Sequence, residues 1–522
     1  MTDEKPDFKI DNGFDYPLAE SKRKPQNSGE IIEEKIDFHP NLNWDENQWN
    51  IAIDKIGKLV KDCSLNWERY SPIPTENSST IYQDLALPFP ETALPVKDIE
   101  DKLQKLIAYS GYNGHPRFLA YITSSPDPVG VLATFLAAAL NQNTNLWRIA
   151  PAATVIELQT IEWFKTIFKF PQQTEGVYSS GGQFANMIAL SAARQYFCED
   201  VREKGISQLG DKLRFYVSDQ AHYCHRQALE LLGFGTKALR IIPSDDNYRI
   251  NVDLLTTAIK QDRETGAIPA VVIGTTGTVG CGAIDPISEL AKIAKQEKLW
   301  FHIDGSYGAL GILAKNAPSE LHDINLADSL VFDPHKWLYS PIDTAVTLVN
   351  HQGLLSQTFG NQVTYLEPSL SNQDSFDFVN LTPENSRPFR AIRVWLPLIA
   401  RGINAFKDLI ENDFMLAKYM ASLIDQHPSL ELMTPTVTSI VCWRYLPTHQ
   451  LTLEGENLLH RRIIEEMAQR GIACISQALL HSNIICLRAC FVNFRTTSDI
   501  VEEVVNKSAE IGQQIYEHEF IN

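Results

Sequence analysis

Apolar residues first recur at helical spacing from about Trp49 (Ile51, Ile53, Ile56, Leu59, Val60, Cys63), and a second helical pattern runs from Val96 to Tyr109. A third run, Val129 to Leu140, is apolar on nearly every side, which predicts a helix buried in a core or against another subunit. The middle of the chain changes character. Short β-rich runs at Gly176–Ser179, Leu213–Ser218, Ala238–Ile242, Ala270–Gly274, Leu299–Asp304, Ser329–Phe332 and Thr344–Val349 are separated by amphipathic stretches such as Asn186–Glu203, Val252–Arg263 and Pro286–Lys298. That alternation predicts an α/β fold, a mostly parallel sheet covered by helices on both faces, whose ligands sit beyond the carboxyl ends of the strands. After about Arg393 a long helical pattern precedes strand candidates at Ser439–Arg444 and Ile484–Ala489 and a last helix at Asp499–His518, which predicts a smaller α+β domain.

Residues 1–48 lack such periodicity and hold 12 acidic against 6 basic side chains, so an extended acidic arm is expected there. The expected order is therefore an arm (1–48), a helical segment (49–127), a large domain (128–392) and a small one (393–522). With 44% apolar and 21% charged residues among 522, a sizeable core is available. The net charge of -18 argues against a nucleic-acid partner. The first ten residues show no secretory pattern, and the longest apolar stretch falls short of the ~20 residues that span a bilayer, so a soluble cytoplasmic protein with no membrane partner is expected. Eight scattered cysteines without a CxxC pair fit reduced thiols.

The stretch richest in chemistry is DSLVFDPHKWLYSP, where Lys336 follows an apolar strand and stands between His335 and Trp337. A lone lysine at a strand end is ordinarily a solvated surface group. Among apolar and aromatic neighbours, however, desolvation favours a neutral amine, the form that makes a Schiff base with a carbonyl. Asp304 ends the strand LWFHID at the edge where ligands bind, and there a carboxylate can bind a metal, act as a base or pair with a heterocyclic nitrogen cation. His302, two residues back, shares its face. Neither HxD nor the run HYCH (His222, Cys224, His225) has the spacing of a structural zinc site, and no metal is expected. In GVYSSGGQFANMIALSAAR a strand runs into Ser180, Gly181 and Gly182 and a helix begins near Gln183, leaving free amides as a phosphate cradle. Neither GxGxxG nor a GK[ST] ending is present, which disfavours a dinucleotide or a nucleoside triphosphate. His222 in YVSDQAHYCH falls past another strand end, where an imidazole either hydrogen-bonds structurally or stacks on a planar cofactor.

One lysine, one carboxylate, one cradle and one imidazole at a single sheet edge are the parts needed to hold pyridoxal 5'-phosphate. With these motifs in place, the chain resembles the group II pyridoxal-phosphate-dependent amino-acid decarboxylases, the family of aromatic L-amino-acid, glutamate, histidine and related enzymes. The resemblance runs from about His115 (HPRFLAYITSSPDPVGVLATFLAAALN) to LRACFVNFRTTSDIVEEVV near the carboxyl end, and rests most on HIDGSYG followed by DPHKW. It implies a fold-type I enzyme with a large, mostly parallel seven-stranded sheet domain, a smaller carboxyl-terminal α+β domain, and a homodimer with its active site at the interface. It implies that Lys336 holds the cofactor, Asp304 pairs with the pyridinium nitrogen, and His222 stacks on the ring. Gly181, Gly182 and Gln183 would then receive the phosphate with His335 beside them, and Thr276 in GTTGTVGCGAID would lie near the ring. Arg387 in NSRPFRAIRVW would meet the substrate carboxylate, and Tyr365 in VTYLEPS would protonate the α-carbon.

Some residues depart from the family pattern. HVDAAY is HIDGSY here, NPHKW is DPHKW, and a serine frequent in the phosphate turn is Gln183. Asp333 adds a negative charge near a phosphate, which should weaken cofactor binding unless it points away or pairs with a cation. The reaction implied is decarboxylation of an L-amino acid to its amine. An aromatic substrate is expected, tyrosine or dopa ahead of tryptophan or phenylalanine, because Tyr121, Ile122, Trp337 and the loop around Tyr365 would form an apolar pocket. Ser386, at a position where plant relatives with serine tend to take phenolic substrates, points the same way. The alternatives are acidic or diamino substrates (glutamate, diaminobutyrate) and an aromatic aldehyde synthase.

Overall fold

The computed structural model describes residues 42–360, apart from 207, 208, 210 and 211, together with residues 376–521. Seven strands, β1 (Glu175–Ser179), β2 (Leu213–Ser218), β3 (Leu239–Ile242), β4 (Ile268–Thr275), β5 (Trp300–Asp304), β6 (Ser329–Phe332) and β7 (Ala345–Val349), form one sheet in the order β1-β7-β6-β5-β4-β2-β3. Only β7 runs against the rest, pairing antiparallel with both β1 and β6. Almost every strand residue is buried, which is why these strands are continuous Val/Ile/Leu/Phe runs instead of alternating ones. Thr275, Asp304 and Val331 stand side by side in register, so the carboxyl ends of β4, β5 and β6 open onto one edge.

A second, antiparallel sheet follows, made of β8 (Leu430–Leu432), β9 (Ile440–Tyr445), β10 (Ser476–Leu479) and β11 (Ile485–Cys490) in the order β10-β11-β9-β8. Helices Ile403–Gln426, Leu453–Gln469 and Ser498–Tyr516 cover it, with Trp443, Leu459, Ile463 and Val504 in its core. A short piece of the amino-terminal region is stitched into this sheet. Leu119 N–H donates to the Cys474 carbonyl (2.8 Å), Cys490 N–H donates to the Leu119 carbonyl (2.9 Å), and the side chain of Leu119 is fully buried there.

Of the two covers expected for helix Pro128–Leu140, a core or another subunit, the core of its own chain does not supply one. Only Gly130 and Ala133 are buried, while Leu132, Phe135, Leu136 and Leu140 are each about half exposed or more. No helix among the described residues is long and apolar enough to cross a membrane. All eight cysteines are free thiols.

Candidate active site

A cavity of about 1520 Å³ opens over the carboxyl edge of the large sheet and extends to the small one. Its walls include Ser180, Gly181, Gly182 and Gln183 after β1, His222 and Cys224 after β2, Thr275 and Gly277 after β4, Asp304 and Ser306 after β5, and Asp333, His335 and Lys336 after β6. Tyr121 also lines it, held in a left-handed conformation at φ 58°. The helix Gly182–Phe197 starts at the cavity wall, with its first amides free. Gly182 is required by close packing: a Cβ there would lie 2.6 Å from Ser306 Oγ and 2.9 Å from Asp333 Oδ2.

Asp304 is held by three donors. Ser306 gives Oδ1 both its N–H (3.1 Å) and its hydroxyl (2.6 Å), and His225 Nε2 lies 3.0 Å from Oδ2. Burial opposes the charge on Asp304, yet the His225 hydrogen bond and charge, with Ser306, hold its carboxyl far below the ordinary carboxylate range. Burial likewise opposes a charge on His225, but Cys224 and Asp304 outweigh it and raise His225 to about 10. His302, on the same face of β5, is pushed down to about 3 by burial and by His225, and is fixed between Ser329 Oγ (2.8 Å) and Asn186 Oδ1 (2.7 Å). Atoms of Cys224, His225 and Asp304 come within 4.8 Å of one another, and within this group His225 Nε2 is hydrogen-bonded to Asp304 Oδ2.

Lys336 Nζ lies 3.0 Å from Asp333 Oδ2. This ion pair resolves the concern raised by the departure DPHKW: the extra carboxylate is paired with a cation, although its Oδ1 is buried without a hydrogen-bond partner. His335 packs beside it, its ring held by the backbone of Thr344.

Several expectations need correction. Trp337 does not line the cavity. The turn Pro334–Trp337 is helical, so successive side chains diverge by about 100°, and Trp337 enters the core against Tyr307 and Phe414. Arg387 is also buried away from the cavity, its Nη2 bonded to Glu157 (2.5 Å) and to the Tyr178 carbonyl (3.2 Å), so its fork is already taken by a buried carboxylate. Thr276 lies between two lining residues without lining the cavity itself, and Ser386 is exposed outside it. Tyr365 lies outside the described residues.

Three residues escaped the sequence reading. His225 stands three residues from His222, which offers the same imidazole, and Ser306 appears in the sequence only as a departure within HIDGSY. Arg488 was hidden within the strand pattern of LRAC. It is 2% exposed yet lines the cavity, with Nε bonded to the Gly280 carbonyl (3.1 Å), Nη1 to the Tyr121 carbonyl (3.2 Å) and Ser476 Oγ (3.0 Å), and Nη2 without a partner. A charged residue placed in an apolar core strand is the signal that marks it.

The model of the pyridoxal-dependent decarboxylase conserved domain matches residues 80–446. The chain belongs to this decarboxylase family. An aromatic-L-amino-acid decarboxylase of Bacillus atrophaeus is 35% identical over 77% of the chain and 82% of that protein. An acidic amino acid decarboxylase of Xenopus tropicalis is 27% identical over 81% and 85%. Among solved structures, Oryza sativa TDC with PLP and tryptamine superposes with a TM-score of 0.85 at 21% identity, over 92% of the chain and 99% of that structure. Mouse CSAD gives 0.84 at 22%, over 89% and 99%. The decarboxylase is thus a pyridoxal-phosphate-dependent carboxy-lyase acting on an amino acid. Its site fits that cofactor: free helix amides at a cradle too tight for a Cβ, the amine of Lys336 and the buried carboxylate of Asp304 share the cavity.

Proposed function

We propose that the enzyme decarboxylates an aromatic L-amino acid, tyrosine or dopa before tryptophan, to the amine and carbon dioxide. One observation carries the choice: Arg488 is the one buried guanidinium among the cavity's described lining residues. It suits a single carboxylate, while Tyr121, Ile122, Phe184, Val279, Ile342 and Leu479 give the walls apolar surface for a side chain without charge. A second carboxylate would have to turn to Arg461, which is exposed at the rim.

In this reading Lys336 carries the cofactor, the amides at Gly181–Gln183 hold its phosphate, His222 covers the ring and Asp304 faces the ring nitrogen. The bound cofactor supplies the electron sink that takes up the electrons left when carbon dioxide departs. Arg488 Nη2 fixes the substrate carboxylate, and orientation of that group selects the bond that breaks. Tyr365 is the proposed proton donor to the α-carbon. The exposed face of Leu132, Phe135, Leu136 and Leu140 is assigned to a second copy of the chain, making a homodimer.

Amine and carbon dioxide release from a panel of amino acids tests the assignment. Turnover of tyrosine, dopa, tryptophan or phenylalanine is expected. Turnover of glutamate or diaminobutyrate alone overturns the substrate class, and aldehyde in place of amine overturns the product.

A further inference from the structure

Behind the cavity floor, out of reach of substrate, stands a buried imidazole. His225 lies in the helix Cys224–Leu231, 1% exposed, and its Nε2 meets the Asp304 oxygen that Ser306 leaves free. Two polar side chains lie against its ring. Asp304 lies at Nε2 and Cys224 beside it, whereas its other ring nitrogen, Nδ1, is buried without a hydrogen-bond partner. His302 approaches edge-on at 6.1 Å, and His302 is itself held neutral, with Ser329 and Asn186 occupying its two nitrogens. The cation that offsets the buried charge of Asp304 is therefore supplied by His225.

We propose that His225 is a positioning residue that fixes Asp304 in its ionised form from behind, so that the carboxylate holds a proton on the ring nitrogen of the bound cofactor. A carboxylate buried without a cation favours the neutral acid, which cannot hold that proton by charge. The imidazole prevents this while staying out of the cavity, since Asp304 and Cys224 line the cavity and His225 does not. Ser306 contributes hydrogen bonds to the same carboxylate but no charge. The inference rests on the proposed role of Asp304, and the test separates the two.

Full-length protein is reconstituted with cofactor labelled with ¹⁵N in the ring, and the nitrogen shift is read by solid-state NMR in the wild type, His225→Leu, His225→Gln and Asp304→Ala. A protonated nitrogen is expected in the wild type and a largely neutral one in His225→Leu. His225→Gln, which retains a donor but no charge, should move in the same direction by less and covers the case in which the leucine variant does not fold. The proton affinity of the ring nitrogen should fall about tenfold or more, one unit of pKa, and kcat should fall with KM within about twofold. A wild-type shift in both His225 variants, with a neutral nitrogen in Asp304→Ala, overturns the inference and leaves the Asp304 role standing. A protonated nitrogen in Asp304→Ala overturns the Asp304 role itself.

Discussion

Replacing Arg488 with methionine removes a cation from the cavity wall while nearly keeping the side-chain volume. Three bonds to the fold are lost, to the Gly280 and Tyr121 carbonyls and to Ser476 Oγ, but all three acceptors border the cavity and can be reached by water. A stability loss of about 1–3 kcal/mol is expected, within reach of a folded protein. The larger effect falls on the substrate. A hydrogen bond from a guanidinium to a carboxylate contributes about 1.5–3 kcal/mol, and with about 1.4 kcal/mol per factor of ten, KM should rise roughly 10- to 150-fold. Steady-state carbon dioxide release measures this, with inhibition by the amine product as the internal control. The amine has no carboxylate, so its inhibition constant should stay within about twofold of wild type if Nη2 serves the carboxylate alone. An unchanged KM, or a product constant that rises in parallel with KM, would refute the assignment.

Three further outcomes follow from the geometry. Asp333→Asn removes the carboxylate that pairs with Lys336, and cofactor loss, followed by absorbance on dilution, should stay within about twofold of wild type if the pair cancels the added charge; loss slowed about tenfold would mean that the charge still acts on the phosphate. Glu157→Gln strands the buried cation of Arg387 and should cost about 3–5 kcal/mol in chemical denaturation while leaving KM unchanged, as befits a structural pair. His460, kept neutral by burial and lowered to about 4, makes folding less favourable as pH drops below about 6.5, because the unfolded chain takes up a proton that the folded one refuses. The melting temperature of His460→Gln should therefore fall less steeply between about pH 6.5 and 4 than that of the wild type; parallel curves would refute the argument.

The seven strands of the large sheet were legible because both of their faces are buried, so each is a compact apolar run bounded by turns. The helix Pro151–Phe168 was not, because it buries Thr154, Glu157, Thr160 and Lys165 beside its apolar residues, and polar side chains facing inward blur the helical stripe. Lys336, Asp304, His222 and the glycine cradle could be found from motifs because each ends a strand or follows one within four residues. Arg488 and Arg387 show the limit of that approach. Both are arginines in apolar surroundings, and only the third dimension shows that Glu157 holds one away from the cavity while the other lines it. His225 is harder still, since its partner is 79 residues away and its neighbour His222 offers the same chemistry in a more visible place.

The stitch at Leu119 ties the order of synthesis to the order of assembly. Residues 117–119 leave the ribosome early, yet their hydrogen-bond partners at Cys474 and Cys490 lie more than 350 residues further along the chain. The small sheet therefore cannot complete its edge as an isolated fragment, and the amino-terminal region has to wait for it. Dividing the chain into separately expressed pieces at about residue 393 would leave a hydrophobic slot open in one half and an unpaired strand in the other, so co-expression of the two pieces is the form in which a split version of this enzyme should assemble.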